Sequence, residues 1–294
     1  MRPFLLALLL VLTAMADSKL LTWPDLTGRA RPTPDATIGY GPDPYQKVDL
    51  WLPKAPGKHR TVLMVHGGCW QTEIADRSLM NWIADDLRRR GYAVWNIDYR
   101  GVDRPGGGYP GTFADAAAAA DALRDYAARY QLDLGKVVAV GHSAGGHLAL
   151  WLAGRARLAK GSALYSPKPL PIAHVVSLGG LPDLEATAAS PDNGCGTDVV
   201  ARLTGAPSPT HADVFADTSV PRLLPLGVPQ DLVNGENDRI IPMRLGTGYE
   251  SQARAKGDRV ALHRIDQTGH VELIAPESAA WAQTVKLIDA AFGK

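Results

Sequence analysis

The chain has almost no charge of one sign to spare. Its 294 residues carry 31 Lys and Arg against 30 Asp and Glu, a formal net charge of +1. That balance excludes the basic excess of a nucleic-acid-binding surface and the acidic excess of a solvated, disordered chain. Long apolar runs are missing too. The run Phe4–Thr13 would span about 15 Å as a helix, half of a ~30 Å hydrocarbon core, which excludes a membrane-spanning anchor. No segment repeats, so solenoids and collagen-like arrays are excluded. What is abundant is apolar material, 46% of the chain, enough for the core of one large α/β domain or of two small ones. Glycine is also abundant at 30 residues, about 10% against a usual level of roughly 7%.

The first sixteen residues have three parts. Met1-Arg2-Pro3 is a short positive start, Phe4–Thr13 an apolar stretch, and Ala14-Met15-Ala16 a small-x-small cleavage signal before Asp17. This is the pattern of a secretory signal peptide over residues 1–16, and it predicts a periplasmic or secreted protein. No cysteine follows the run, so no lipid anchor is expected, and residues 17–294 read as one domain without a stable membrane attachment. Cleavage removes Arg2 and no acid, leaving a mature net charge of zero. Export would expose Cys69 and Cys195 to an oxidising compartment. They are open to two readings. A bridge would close a loop of well over 100 residues and stabilise by up to ~4 kcal/mol. Two buried thiols would act as small hydrophobes.

Residues 17–46 are proline-rich and read as an extended lead-in. Beyond them, short β-branched runs alternate with helical patterns. Val48–Leu52, Thr61–Val65, Ala93–Asp98, Val137–Val140, Ile172–Leu178, Asp231–Val233 and Val260–Ile265 are expected strands. Asp76–Arg90, Thr112–Tyr130, Ala144–Ala153, Met243–Ala255 and Pro276–Phe292 are expected helices. The alternation predicts βαβ units and a mostly parallel central sheet with helices on both faces. Residues 181–228 break the rhythm and read as a cap-like insertion over the sheet's carboxyl edge.

Four loops carry chemistry. Val137–Val140 runs into Gly141-His142-Ser143-Ala144-Gly145-Gly146 and then a helix. Gly-x-Ser-x-Gly between strand and helix reads as a nucleophile elbow, whose strained turn lifts the serine hydroxyl clear of the sheet. His66-Gly67-Gly68-Cys69-Trp70 follows the Thr61–Val65 strand. It offers the N–H groups of Gly68 and Cys69, with that of Ala144, as donors to a tetrahedral oxyanion. His66 is expected to brace that loop, Trp70 either to wall the substrate pocket or to be buried in the core, and Tyr109 to wall the pocket. Asp231–Val233 leads to Asp238, and Val260–Ile265 leads to His270. The order Ser143, Asp238, His270 is that of a hydrolase triad, in which a base takes the serine proton and a carboxylate orients the base. Glu236 is the rival acid, and Asp238 is favoured by its place in the turn. His142 and His147 flank the serine, the latter expected as a packed helix residue.

In this combination the chain resembles the α/β hydrolase superfamily. It is most similar to the bacterial esterase and lipase branch with feruloyl-esterase-like and kynurenine-formamidase-like members. The resemblance rests on Tyr40-Gly41 with Gln46 and Asp49, on His66-Gly67-Gly68-Cys69-Trp70, and on Asp98-Tyr99-Arg100. It continues through Gly107-Gly108-Tyr109-Pro110 with Asp115 and through Gly141–His147. It closes on Gly235, Asp238 and Pro242, then Gly269-His270, and spans roughly residues 38–292. It implies a hydrolase of carboxylic esters that uses neither cofactor nor metal and acts on a small-molecule ester. It implies Ser143 as nucleophile, His270 as base, Asp238 as orienting acid and an oxyanion hole around Gly68. The chain departs from the lipase-like pattern at Cys69, where a third loop glycine is usual. Arylformamidase or amidase action would use the same residues, and a binding protein on the same fold is the reading from another class. Arylformamidases are typically cytosolic, so the leader points towards an exported esterase.

Overall fold

The computed structural model describes residues 19–294; the leader expected over residues 1–16 lies outside them. The strands are β1 (Ala36–Gly39), β2 (Lys47–Trp51), β3 (His59–Val65), β4 (Ala93–Ile97), β5 (Leu132–His142), β6 (His174–Leu178), β7 (Gln230–Gly235) and β8 (Val260–Ile265). They form one sheet in the order β1-β2-β4-β3-β5-β6-β7-β8. β1 and β2 are antiparallel to their neighbours, and from β4 through β8 every pairing is parallel.

Parallel strands covered on both sides need apolar residues on both faces, which is why these strands read as continuous runs. In β3, Leu63 and Val65 enter one core while Val62 and Met64 enter the other. β5 divides the same way, with Val137 and Ala139 against Val138 and Val140. The helices are α1 (Trp23–Thr27), α2 (Asn81–Arg89), α3 (Gly111–Tyr130), α4 (Ala144–Gly154), α5 (Leu184–Ala188), α6 (Asp198–Thr204), α7 (Met243–Ala255) and α8 (Ala279–Phe292). Side chains of α3, α4 and α7 fill the first core, and those of α1, α2 and α8 fill the second. This is the α/β hydrolase fold, a sheet with helices on both faces.

Two elements lie in the stretch read as a plain lead-in. β1 forms because Pro34 and Pro42 flank it rather than interrupt it, and it takes the edge of the sheet, where proline neighbours are tolerated. α1 starts at a local signal: the Asp25 carboxylate accepts from Thr22 N (2.7 Å) and Thr22 Oγ (2.6 Å), and Pro24 fits the first turn. Residues 181–228 carry α5, α6 and a short turn of helix at Val220–Leu223. Leu184, Val199, Leu203 and Val220 join the first core. The segment is pinned to three loops at the sheet's carboxyl edge. Cys195 is bonded to Cys69, Arg202 Nη2 donates to Val102 O (3.2 Å), and Gly194 N donates to Ile240 O (2.7 Å).

Candidate active site

β5 ends at His142, and α4 begins at Ala144. Between them Ser143 sits at φ 54°, ψ −122°, a region that costs a non-glycine residue on the order of 1–3 kcal/mol. The turn leaves no room for side chains beside it. A methyl at Gly145 would lie 2.2 Å from Val65 O and 2.4 Å from His66 O. The elbow and the β3 loop therefore pack backbone to backbone. Gly67 makes the same approach from the other side, where a methyl would lie 3.1 Å from Ser143 Cβ. The backbone N–H groups of Gly68, Cys69 and Ala144 donate to no other group among the described residues.

The β3 loop turns through three consecutive left-handed residues, Gly68 (φ 103°), Cys69 (φ 52°) and Trp70 (φ 55°). Two of these are not glycine, so something must hold them. Cys69 is bonded to Cys195, with Cα atoms 5.3 Å apart. Of the two readings open for the cysteines, the bridge is the one present. Trp70 is fully buried, edge-on to His147 at 5.5 Å, and its carbonyl accepts from Val102 N (2.7 Å). His66 anchors the start of the loop. Its Nε2–H donates to Asp98 Oδ1 (2.9 Å) and its ring stacks on Tyr99 at 4.3 Å. Arg77 ties Asp98 (2.8 Å) to Asp49 (2.9 Å) below. The Asp98-Tyr99-Arg100 motif thus serves the scaffold. Tyr99 OH donates to His66 O (3.0 Å), and Arg100 pairs with Asp115, which also accepts from Gln46 Nε2 (2.8 Å).

The other two loops meet opposite. His270 Nδ1–H donates to Asp238 Oδ2 (2.6 Å), both side chains being buried. Asp238 is itself fixed, its Oδ1 accepting from Ile240 N (2.8 Å) and Ile241 N (2.9 Å). Glu236, the rival acid, is exposed and hydrogen-bonded to Asp266, which raises its pKa; it does not meet His270. His142 Nε2–H donates to His270 O (3.2 Å), with the two rings 4.5 Å apart. Burial, reinforced by the neighbouring His270, pushes His142 well below its ordinary pKa, so it is neutral. His147 is a core residue, as its helical position predicts. Its Nε2–H donates to Thr218 O (2.8 Å), and burial pushes its pKa down to about 4.

Ser143, Gly68, Cys69, His142 and His270 open into one cavity of about 280 Å³. Its remaining lining is Trp23, Thr27, Ile74, Ala75, Leu79, Gly194 and Ile240. Trp70 and Tyr109, expected in the pocket wall, are not among the residues that line it. Trp70, the third of the loop's three left-handed residues, turns down into the core. Tyr109 stacks on His211 at 3.8 Å and donates to Asp217 Oδ2 (3.1 Å), away from the serine. The walls come from segments distant in sequence. Of these only Trp23 carries a legible signal, the Thr22–Asp25 helix start. A hydroxyl, an imidazole oriented by a carboxylate, and undonated backbone N–H groups in one apolar pocket are the groups acyl transfer requires. Among the described residues, no group of three or more His, Cys, Asp or Glu could hold a metal ion.

Comparison with known proteins agrees with this architecture. A sequence model of the BD-FAE family matches residues 48–251. A probable isoprenylcysteine alpha-carbonyl methylesterase of Arabidopsis thaliana is 32% identical over 114 residues, 38% of this chain. The matched stretch is 23% of that relative's length. Among solved structures, a carbohydrate esterase from gut microbiota superposes with a TM-score of 0.73 at 18% identity, covering 89% of this chain and 98% of that one. Esterase B of Lactobacillus rhamnosis gives 0.73 at 20%, covering 89% and 87%. Esterase 2 of Thermogutta terrifontis, phosphonylated by sarin, gives 0.70 at 20%, covering 89% and 96%. At these identities the structural likeness speaks to the fold.

Proposed function

The chain belongs to the BD-FAE family, and from that premise we propose that it is a serine hydrolase of carboxylic esters with Ser143, His270 and Asp238 as its triad. The observation that carries the reading is the strained Ser143 elbow opening into the same pocket as His270, whose Nδ1–H is held by Asp238 at 2.6 Å. The esterase names of the relative and of the structural neighbours support the same chemistry.

In the first step His270 Nε2 takes the Ser143 proton as Oγ attacks the ester carbonyl. The carbonyl electron pair moves onto oxygen, where the N–H groups of Gly68, Cys69 and Ala144 stabilise it, helped by the positive end of α4. Collapse of this intermediate breaks the acyl–oxygen bond, and the imidazolium returns its proton to the leaving alcohol. In the second step His270 takes a proton from water as its oxygen adds to the acyl carbonyl; collapse breaks the acyl–Oγ bond, the imidazolium returns its proton to Ser143 Oγ, and the acid is released. Asp238 fixes the imidazole tautomer and stabilises its charged form throughout.

The protein is proposed to work outside the cytoplasm. The three-part leader motivates this, and the Cys69–Cys195 bridge is of the kind that persists in oxidising compartments. The test uses protein recovered from the exported fraction, where the chain is expected to begin at Asp17. It should turn over simple esters, and Ser143→Ala should lower kcat by on the order of 10⁴ or more. Equal rates in the two proteins would overturn the assignment.

A further inference from the structure

Trp23 stands where two cavities meet. On one side is the pocket of about 280 Å³ that holds Ser143, Gly68 and Cys69. On the other is a groove of about 570 Å³ lined by residues 19–24, Asn237, Arg239 and 269–271. Trp23, Ile240 and His270 line both. The indole is edge-on to His142 and to His270, with each ring centroid 6.2 Å away.

The short helix that carries Trp23 is tied down on both sides. The Glu272 carboxylate accepts from Leu21 N before it and from Gly269 N (3.0 Å) in the His270 loop. Leu26 is fully buried, Arg29 pairs with Glu277, and Ala30 O accepts from Trp82 Nε1 (3.1 Å). The backbone that carries the indole is therefore held in place at this wall.

The chemistry divides across this wall. The ester carbonyl must lie beside Ser143 and the Gly68 and Cys69 donors, inside the smaller pocket. Beyond them that pocket is walled by Ile74, Ala75 and Leu79, and no Lys, Arg, Asp or Glu lines it. Its volume lies just below the ~300–1,000 Å³ of sites that take drug-sized ligands. The groove touches His270 but neither Ser143 nor the donors, and the group that His270 protonates is the leaving alcohol.

We propose that Trp23 partitions the substrate, with the acyl group in the smaller apolar pocket and the alcohol in the groove. Its indole then sets the upper limit on acyl length. The substrates are esters of short, uncharged, apolar acids. This rests on Ser143 acting as the nucleophile.

The experiment measures kcat/KM over two ester series. One varies the acyl chain from acetyl to decanoyl on p-nitrophenol, and the other varies the alcohol on a fixed acetyl group. In the unaltered protein kcat/KM should fall at the longer acyl chains of the series. Trp23→Ala merges the two cavities and should raise the octanoyl-to-acetyl ratio by on the order of tenfold or more. Trp23→Phe, which retains a ring, should give a smaller shift in the same direction and stands in if the alanine variant does not fold. Activity that rises with acyl length in the unaltered protein, or a Trp23 effect confined to the alcohol series, would overturn the partition. Full turnover by Ser143→Ala would instead remove the reading on which it rests, so the two failures are distinct.

Discussion

The loop at residues 66–70 hangs on buried charge and a covalent bond, whereas the loop at residues 266–272 hangs on hydrogen bonds and ring contacts. The first is braced by His66 on Asp98, by Arg77 between Asp98 and Asp49, and by the Cys69–Cys195 bridge. The second is held by Asp238 on His270, by Glu272 on Gly269 N, and by the rings of His142 and Trp23 around the imidazole. The difference fits what the proposed chemistry asks of each loop. Backbone donors stabilise an oxyanion only if they need no reorganisation, so their loop must be stiff. An imidazole passes protons between two partners, so its loop needs the right tautomer more than rigidity. Removing one partner from the buried charge network would cost about 3–5 kcal/mol of stability, while the second loop should be sensitive chiefly in rate.

The sharpest way to break the comparison is Asp238→Asn. The new side chain keeps the oxygen that accepts from Ile240 and Ile241 but presents an NH₂ to His270 Nδ1. The imidazole then takes the wrong tautomer and cannot accept the serine proton, and kcat should fall by about 10⁴. Thermal unfolding should move little. A large loss of stability in this variant, at preserved kcat, would mean that the second loop is a structural clamp like the first.

The residues of this comparison were legible in the sequence to unequal degrees, for a physical reason. Ser143, Asp238 and His270 each follow an apolar strand, so local pattern placed them on loops at one edge of the sheet. The strands β3 to β7 were legible on the same ground, because a parallel strand buried on both faces announces itself by composition, and β2 and β8 were legible from their short β-branched runs. β1 was not, since four residues between prolines are a strand only by virtue of pairing with β2. The pocket walls were least legible. Trp23, Gly194 and Ile240 are brought together by the fold and by no spacing along the chain. Trp70 and Tyr109 were misplaced because a loop tryptophan or tyrosine can turn either to substrate or to core. That choice is made by backbone angles such as the positive φ at Trp70.

The next effect in size tests the covalent brace. Cys69 and Cys195 are 126 residues apart, and releasing so long a loop in the unfolded state should cost about 4 kcal/mol. The double variant Cys69→Ser, Cys195→Ser should show that loss in urea unfolding. Under native conditions the Gly68 and Cys69 donors lose their tether, and kcat should fall on the order of 10²-fold. Lost stability with unchanged kcat would make the bridge a staple of the fold rather than of the loop.

Acid separates the two loops most gently, through the histidine beneath the first of them. His147 lies under Trp70, and its burial holds its pKa at about 4 against an ordinary 6.5. As pH falls below 6.5 the unfolded chain binds a proton here that the folded chain refuses until about pH 4. Stability must therefore decline through that window as pH falls, and it is fully present above it. For this group alone the loss between pH 7.5 and 4.5 should be roughly 2–3 kcal/mol. His147→Gln has an amide that can donate to Thr218 O in place of Nε2–H and does not titrate. Urea unfolding of this variant should show a decline over the same range that is shallower by about 2 kcal/mol than in the unaltered protein. Parallel declines in the two proteins would place the acid-sensitive group elsewhere, with His142 beside the second loop as the next to test, since burial also holds it neutral.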